Sequence, residues 1–150
     1  MIFTADIIEA INSSVLCWLA TVDAGGQPNV SPKEIFAIDK DKLIIANIMS
    51  PGSEQNIKDC PLVSVSFVNI LVQKGFQLKG YAEVIEKTDT NFEALHSILG
   101  KMTQNLFTIK SIFSIEVTSS KKILAPSYVF YPNQTSEAKQ IKAAKKQYNL

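Results

Sequence analysis

The chain has 150 residues, of which 46% are hydrophobic and 19% charged, with a formal net charge of +1. That is one domain's worth of chain, long enough to bury a core without metals or disulfides, and the composition excludes both intrinsic disorder and a strong electrostatic claim on nucleic acid. No apolar run approaches bilayer length and no basic N-terminal region leads into one, so the expected setting is cytoplasmic, with no membrane partner.

Residues 4–12 read as a short amphipathic helix, with Ile7, Ile8 and Ile11 on one stripe and Thr4 placed to cap it. The apolar run over 15–22 reads as a buried strand closed by Asp23-Ala-Gly-Gly, and residues 27–38 return as its hairpin partner. A turn at 39–42 leads to a third strand over 43–47. Residues 48–56 read as a loop running into a helix of about two turns, which must stop near Pro61 because proline cannot continue it. Alternation then predicts strands over 62–68 and 76–85, with Gly80 marking a bulge or a close backbone approach. The longest helix is expected over 88–106, with Phe92, Leu95, Ile98, Leu99 and Met102 on one face, followed by a last strand over 112–124. The tail, 136–150, reads as a lysine-rich helix whose Ile141, Ala144 and Tyr148 dock on the body. Six strands with short turns and no regular βαβ alternation predict a single mainly-β (α+β) domain: a six-stranded antiparallel barrel or sandwich with helical insertions and a C-terminal helix.

Familiar catalytic constellations are missing: there is no Gly-x-Ser-x-Gly elbow, Walker loop or His-Glu-x-x-His. Cys17 and Cys60 are far apart in apolar company and read as free buried thiols, and with His96 the single histidine no metal site is expected. His96 sits between apolar helix positions, where a packed or surface role outweighs a catalytic one. All fifteen basic residues are lysines, so an anion must be held by lysine, hydroxyl and backbone N–H groups without a guanidinium fork. Ser50-Pro-Gly-Ser53 feeds a helix start, which offers free N–H groups and the positive dipole end to a phosphate; by itself it is more simply an N-cap. The strand Asn29-Val-Ser-Pro-Lys-Glu-Ile-Phe36 supplies a cation, because Ser31 and Lys33 point to one face. On an edge strand such a lysine is usually an exposed guard against aggregation, and both Lys33 and Ser53 are expected to bury little.

In this order the segments LATVDAGGQPNVSPKEIF, LIIAN, SPGSEQNIKDCPLVSVSF and QKGFQLKGYAEVI resemble the pyridoxamine 5'-phosphate oxidase-like family of FMN-binding split β-barrels. The match covers about residues 15–117, and the ILAPSYVFYP segment and tail helix are similar to a small-protein branch of it. The resemblance implies a homodimer with FMN in clefts between subunits. It implies that Ser31, Pro32 and Lys33 line the flavin, that Ala46, Asn47 and Ile48 meet the cofactor, and that Ser53 contacts its phosphate. Asn56 matches the family's helix asparagine, and Lys74 and Gly75 fall in a segment that approaches the ring. Pyridoxamine phosphate oxidase proper grips FMN and substrate with arginines; with none here, vitamin B6 oxidation is not expected. What the resemblance implies is a flavoprotein oxidoreductase passing electrons from a reductant such as NAD(P)H to a small acceptor. The alternatives are a flavin-binding sensor or storage module without turnover, or a relative using a deazaflavin or haem.

Overall fold

The computed structural model describes residues 2–104 and 106–150. In chain order the elements are α1 (Ala5–Ser13), β1 (Cys17–Val22), β2 (Pro28–Lys33), β3 (Phe36–Asp39), β4 (Lys42–Asn47), α2 (Pro51–Asp59), β5 (Leu62–Asn69), β6 (Lys74–Ile85), α3 (Phe92–Thr103), β7 (Ser111–Leu124), α4 (Pro126–Phe130) and α5 (Glu137–Tyr148). One antiparallel sheet of seven strands runs in the order β2-β1-β5-β6-β7-β4-β3. The mainly-β fold with helical insertions and a C-terminal helix is as expected, with one strand more than the six read from sequence.

The extra strand comes from a break. The stretch 27–38 is not a single hairpin partner: β2 pairs with β1, while β3 pairs with β4 at the other end of the sheet. Only Glu34 and Ile35 separate them. Three Cα–Cα steps reach at most ~11 Å, whereas a flat sheet of seven strands is roughly 29 Å wide. The sheet must therefore curl until its two edges come within reach of this link, and Ile35 C=O accepts from Ala46 N–H at 2.9 Å as the chain crosses. Alternation cannot reveal such a crossing, because the side-chain period continues through it.

Local chemistry fixes the turns. Asp23 Oδ1 accepts from Gly25 N–H at 2.8 Å and from Gln27 N–H at 2.9 Å, and Gly26 takes a positive φ of 86° that favours glycine. Gly80 is both a bulge and a close approach: the β6–β7 register shifts between Lys79 and Gly80, and a Cβ there would lie 2.0 Å from Glu116 O. The long helix is shorter than its pattern. Asp89 ties a preceding turn by accepting from Glu86 N–H at 2.6 Å, and Gln104 ends α3 in the left-handed region. Of the face assigned to it, Phe92, Leu95 and Leu99 are buried but Met102 is exposed; position 105 lies outside the described residues.

Two apolar clusters hold the sheet. Inside the curl, Ile7 and Ile11 of α1 and Ile57 of α2 pack with Cys17, Leu19, Leu43, Val65, Phe67, Leu78 and Phe113. On the other face, α3 covers Ile44, Ala46, Ile85 and Ile112. Because β4 lies between the two, its residues Leu43–Asn47 are buried on both sides, which explains a continuous apolar run where a half-exposed strand would alternate. In α5, Ala144 is buried and Ile141 half-buried, but Tyr148 is exposed, so the expected docking holds for part of the stripe. No described helix is long and apolar enough to cross a membrane.

Candidate functional site

The β1–β2 register pairs Leu19 with Ser31 and Cys17 with Lys33, so strand alternation turns Ser31 and Lys33 toward the side where Leu19 and Cys17 are fully buried. Lys33 is 6% exposed, which corrects the expectation of an exposed strand lysine. Its ammonium donates to Ser50 Oγ and lies 5.9 Å from the centroid of the Phe113 ring. Among the described residues no carboxylate forms an ion pair with it. Burial pulls the Lys33 ammonium below its ordinary range, opposed by its neighbour Cys17. Burial likewise pushes the Cys17 thiol up to about 12, so that it stays neutral at ordinary pH and opposes the shift of Lys33 only where it ionises, in alkali.

The start of α2 closes on the same place. Pro51 occupies its first turn, where a missing N–H costs nothing. Ser50 does not cap the helix with its side chain, because that hydroxyl is turned to Lys33. Ser53 is 2% exposed, not the open loop serine expected, and its Oγ lies 3.4 Å from Ser31 Oγ. Four residues from two elements thus converge: Ser31 and Lys33 from β2, Ser50 and Ser53 from the entry to α2.

A second layer holds that entry in position. The buried Asn47, at the end of β4, accepts from Ser50 N–H through Oδ1 at 3.0 Å. Its Nδ2 donates to Glu54 Oε2 at 2.7 Å and to Ser111 Oγ at 2.9 Å, and Ser111 also donates to Glu54 at 2.9 Å. A hydrogen bond from Lys58 is the main reason that Glu54 stays below the usual carboxylate range, with Ser111 and Asn47 adding to it against partial burial. Its charge is therefore answered. Sequence reading missed Glu54 and Ser111 as members of this group and did not single out Ser50 from its loop; Ser111 is 64 residues from Asn47, a separation that leaves no local signal.

The remaining expected residues divide. Pro32 is exposed on β2, opposite Trp18. Ala46 is buried under α3, and Ile48 follows β4 half-buried. Asn56 reaches back from α2 to donate to the buried Thr21 Oγ1 at 3.0 Å, tying helix to strand. Lys74 and Gly75 are not brought to this cluster within the chain. They line a separate cleft of about 500 Å³ with Asp6, Lys122, Tyr128 and Glu137. There Lys74 bonds Glu137 at 2.7 Å and stands 4.5 Å over the Tyr128 ring. A Cβ on Gly75 would lie 1.8 Å from Phe67 O, so strand contact alone demands glycine. His96 is half-buried and stacks on Phe92, with ring centroids 5.5 Å apart. Cys17 and Cys60 are free, the second only half-buried, and among the described residues no group of metal-ligating side chains comes together.

A buried cation without a carboxylate, three hydroxyls and a helix start are the equipment for an anionic, phosphate-bearing group. Solved structures of known proteins share this fold. HupZ of Group A Streptococcus is 25% identical, with a TM-score of 0.70 over 83% of this chain and 96% of that one. An FMN-binding protein of Syntrophomonas wolfei shares the fold at 15% identity and a TM-score of 0.68, covering 80% of this chain and 85% of that one. HutZ, the haem storage protein of Vibrio cholerae, shares it at 18% identity and a TM-score of 0.64, covering 83% and 95%. No curated protein matches the chain closely enough to count as a relative. The family model described as pyridoxamine 5'-phosphate oxidase matches residues 3–122, so the chain belongs to the pyridoxamine 5'-phosphate oxidase-like split-barrel family.

Proposed function

We propose that the protein is a cytoplasmic FMN-binding flavoprotein, a homodimer that passes electrons from a reductant such as NAD(P)H to a small acceptor. The observation that carries this reading is Lys33: a buried ammonium with hydroxyl, thiol and ring neighbours but no ion-pairing carboxylate among the described residues. A buried charge is stable only when answered, and FMN brings both a phosphate and a ring edge that gains negative charge on reduction. Bound flavin supplies the hydride chemistry, at N5. Lys33, Ser31, Ser50 and Ser53 hold its anionic part, and Asn47 with Glu54 and Ser111 fixes the loop that presents two of them. Pro32 and Ile48 border the cofactor, while Ala46 and Asn56 brace the strand and helix behind it. Lys74 and Gly75 stand apart in their own chain, so any part they take is across the subunit boundary.

The FMN-binding neighbour supports this cofactor, and the haem storage neighbour raises the rival. A haem would want an axial ligand, and the single histidine stacks on Phe92 of α3, which covers the sheet face opposite the cluster that holds Phe113 beside Lys33; that favours flavin. The test is the visible spectrum and mass of the ligand that co-purifies, followed by FMN titration and mixing with NADH. FMN with loss of the flavin band on NADH addition is expected. A haem or deazaflavin mass, or no flavin binding, overturns the cofactor, and bound FMN that NADH leaves oxidised points to a module without turnover. Light scattering should give a dimer; a stable monomer that binds FMN tightly would count against the shared cleft.

A further inference from the structure

Lys33 is enclosed by groups that cannot share a charge with it. Facing it are the Cys17 thiol from β1, the Ser50 hydroxyl at the entry to α2, and the Phe113 ring of β7. The nearest carboxylate on α2, Glu54, is engaged by Asn47, Ser111 and Lys58, and Glu34, next in the chain, is exposed. Cys17 itself stays protonated through the neutral range, as its raised value of about 12 requires. An ammonium in this setting costs desolvation that no anion among the described residues returns, and burial accordingly shifts it toward the neutral amine. An anionic ligand reverses the balance, because it is the missing partner of the charged form.

We propose that Lys33 takes up a proton when the site is filled, so that cofactor binding is proton-linked and weakens as the solution becomes more alkaline. The inference rests on the reading that FMN is the ligand and goes beyond it in saying how the site is regulated. The atoms balance simply: one proton passes from solvent to Nζ for each site in which the empty state holds a neutral amine, and it returns on release. The sign follows from linkage. The empty site has the lower proton affinity and the filled site the higher, so between the two values the complex holds more protons than its components. Affinity then falls by up to about tenfold per pH unit across that window and is level outside it.

The test is calorimetric titration of the cofactor-free protein with FMN from pH 7.5 up to the ordinary lysine value of 10.5, in paired buffers of different ionisation enthalpy. The phosphate of FMN is already dianionic there, its second pKa being about 6, so it contributes no proton of its own. Net proton uptake on binding, with affinity declining as pH rises, is the expected result, and in Lys33→Met both should vanish while weaker binding persists. FMN bound by the wild-type protein with no proton uptake and level affinity overturns the proton linkage but leaves the cofactor assignment standing. Proton uptake that survives in Lys33→Met overturns the assignment to this lysine. No FMN binding at any pH overturns the cofactor reading and the proton linkage with it. The wild-type measurement decides the linkage even if the variant folds poorly.

Discussion

Two lysines of this chain have opposite surroundings, one lining an open cleft and the other buried. Lys74 bonds Glu137 of α5 and stands over Tyr128 of α4, with its side chain 36% exposed, so its charge is answered inside the chain. Lys33 is buried among a thiol, a ring and the Ser50 hydroxyl, and no carboxylate among the described residues answers its charge. The comparison shows that a lysine alone says little about a binding site. What matters is whether the fold leaves its charge without an anion after removing it from water. Lys74 helps hold the C-terminal helices to β6, whereas among the described residues no carboxylate pairs with Lys33.

The largest effect expected lies beside Lys74. Gly75→Ala would press a Cβ to 1.8 Å from Phe67 O and must push β6 off β5. A loss of about 3 kcal/mol in urea denaturation is expected. If Gly75→Ala instead folded normally and lost only FMN, that glycine would belong to the binding site and the contrast between the two surroundings would fail.

Next comes Lys33→Met, which removes a charge-assisted contact of about 1.5–3 kcal/mol, or roughly ten- to hundredfold in FMN affinity. Fluorescence quenching measures it, with Lys79→Ala on the exposed part of β6 as the control. Equal affinities across these proteins would mean that the buried lysine serves the fold alone.

The same substitution should stabilise the cofactor-free protein, by on the order of 1 kcal/mol, since it removes a buried charge that no described carboxylate answers. Lys33 is held below its ordinary 10.5 in the folded chain. Between the lowered value and the ordinary one the unfolded chain binds more protons, so the lysine's cost is full at lower pH and fades as pH rises toward 10.5. Thermal denaturation at several pH values should therefore show the advantage of Lys33→Met shrinking in alkali; an advantage that grows would reverse the sign and refute the unpaired charge.

Smaller effects close the series. Ser53→Ala should weaken FMN binding by about 0.5–1.5 kcal/mol, because the N–H groups of the α2 start remain; a cost equal to that of Lys33→Met would move the centre of the site to the helix. Lys74→Ala should change stability by about 0–1 kcal/mol, as partly exposed ion pairs do, and FMN affinity by roughly threefold or less. A loss as large as that of Lys33→Met would show that Lys74 also reaches the ligand, across a boundary between two copies of the chain.

The sequence by itself determined whatever rests on neighbours along the chain. The Asp23–Gly26 turn, the Thr4 cap, the bulge at Gly80, the end of α2 before Pro61 and the shared face of Ser31 and Lys33 all follow from residue chemistry and the period of two or 3.6. Tertiary structure alone decided that 27–38 breaks into two strands at opposite edges, because only the curl of the whole sheet makes a two-residue link between them possible. It also decided that Lys33 and Ser53 are buried, since exposure depends on the entry to α2 closing on β2 and not on either local pattern. Ser50, Glu54 and Ser111 joined the site for the same reason: hydroxyls and carboxylates are common on any surface, and what distinguishes these is contact with a lysine 17 residues away and an asparagine up to 64 away, distances that only a packed sheet brings to hydrogen-bond range.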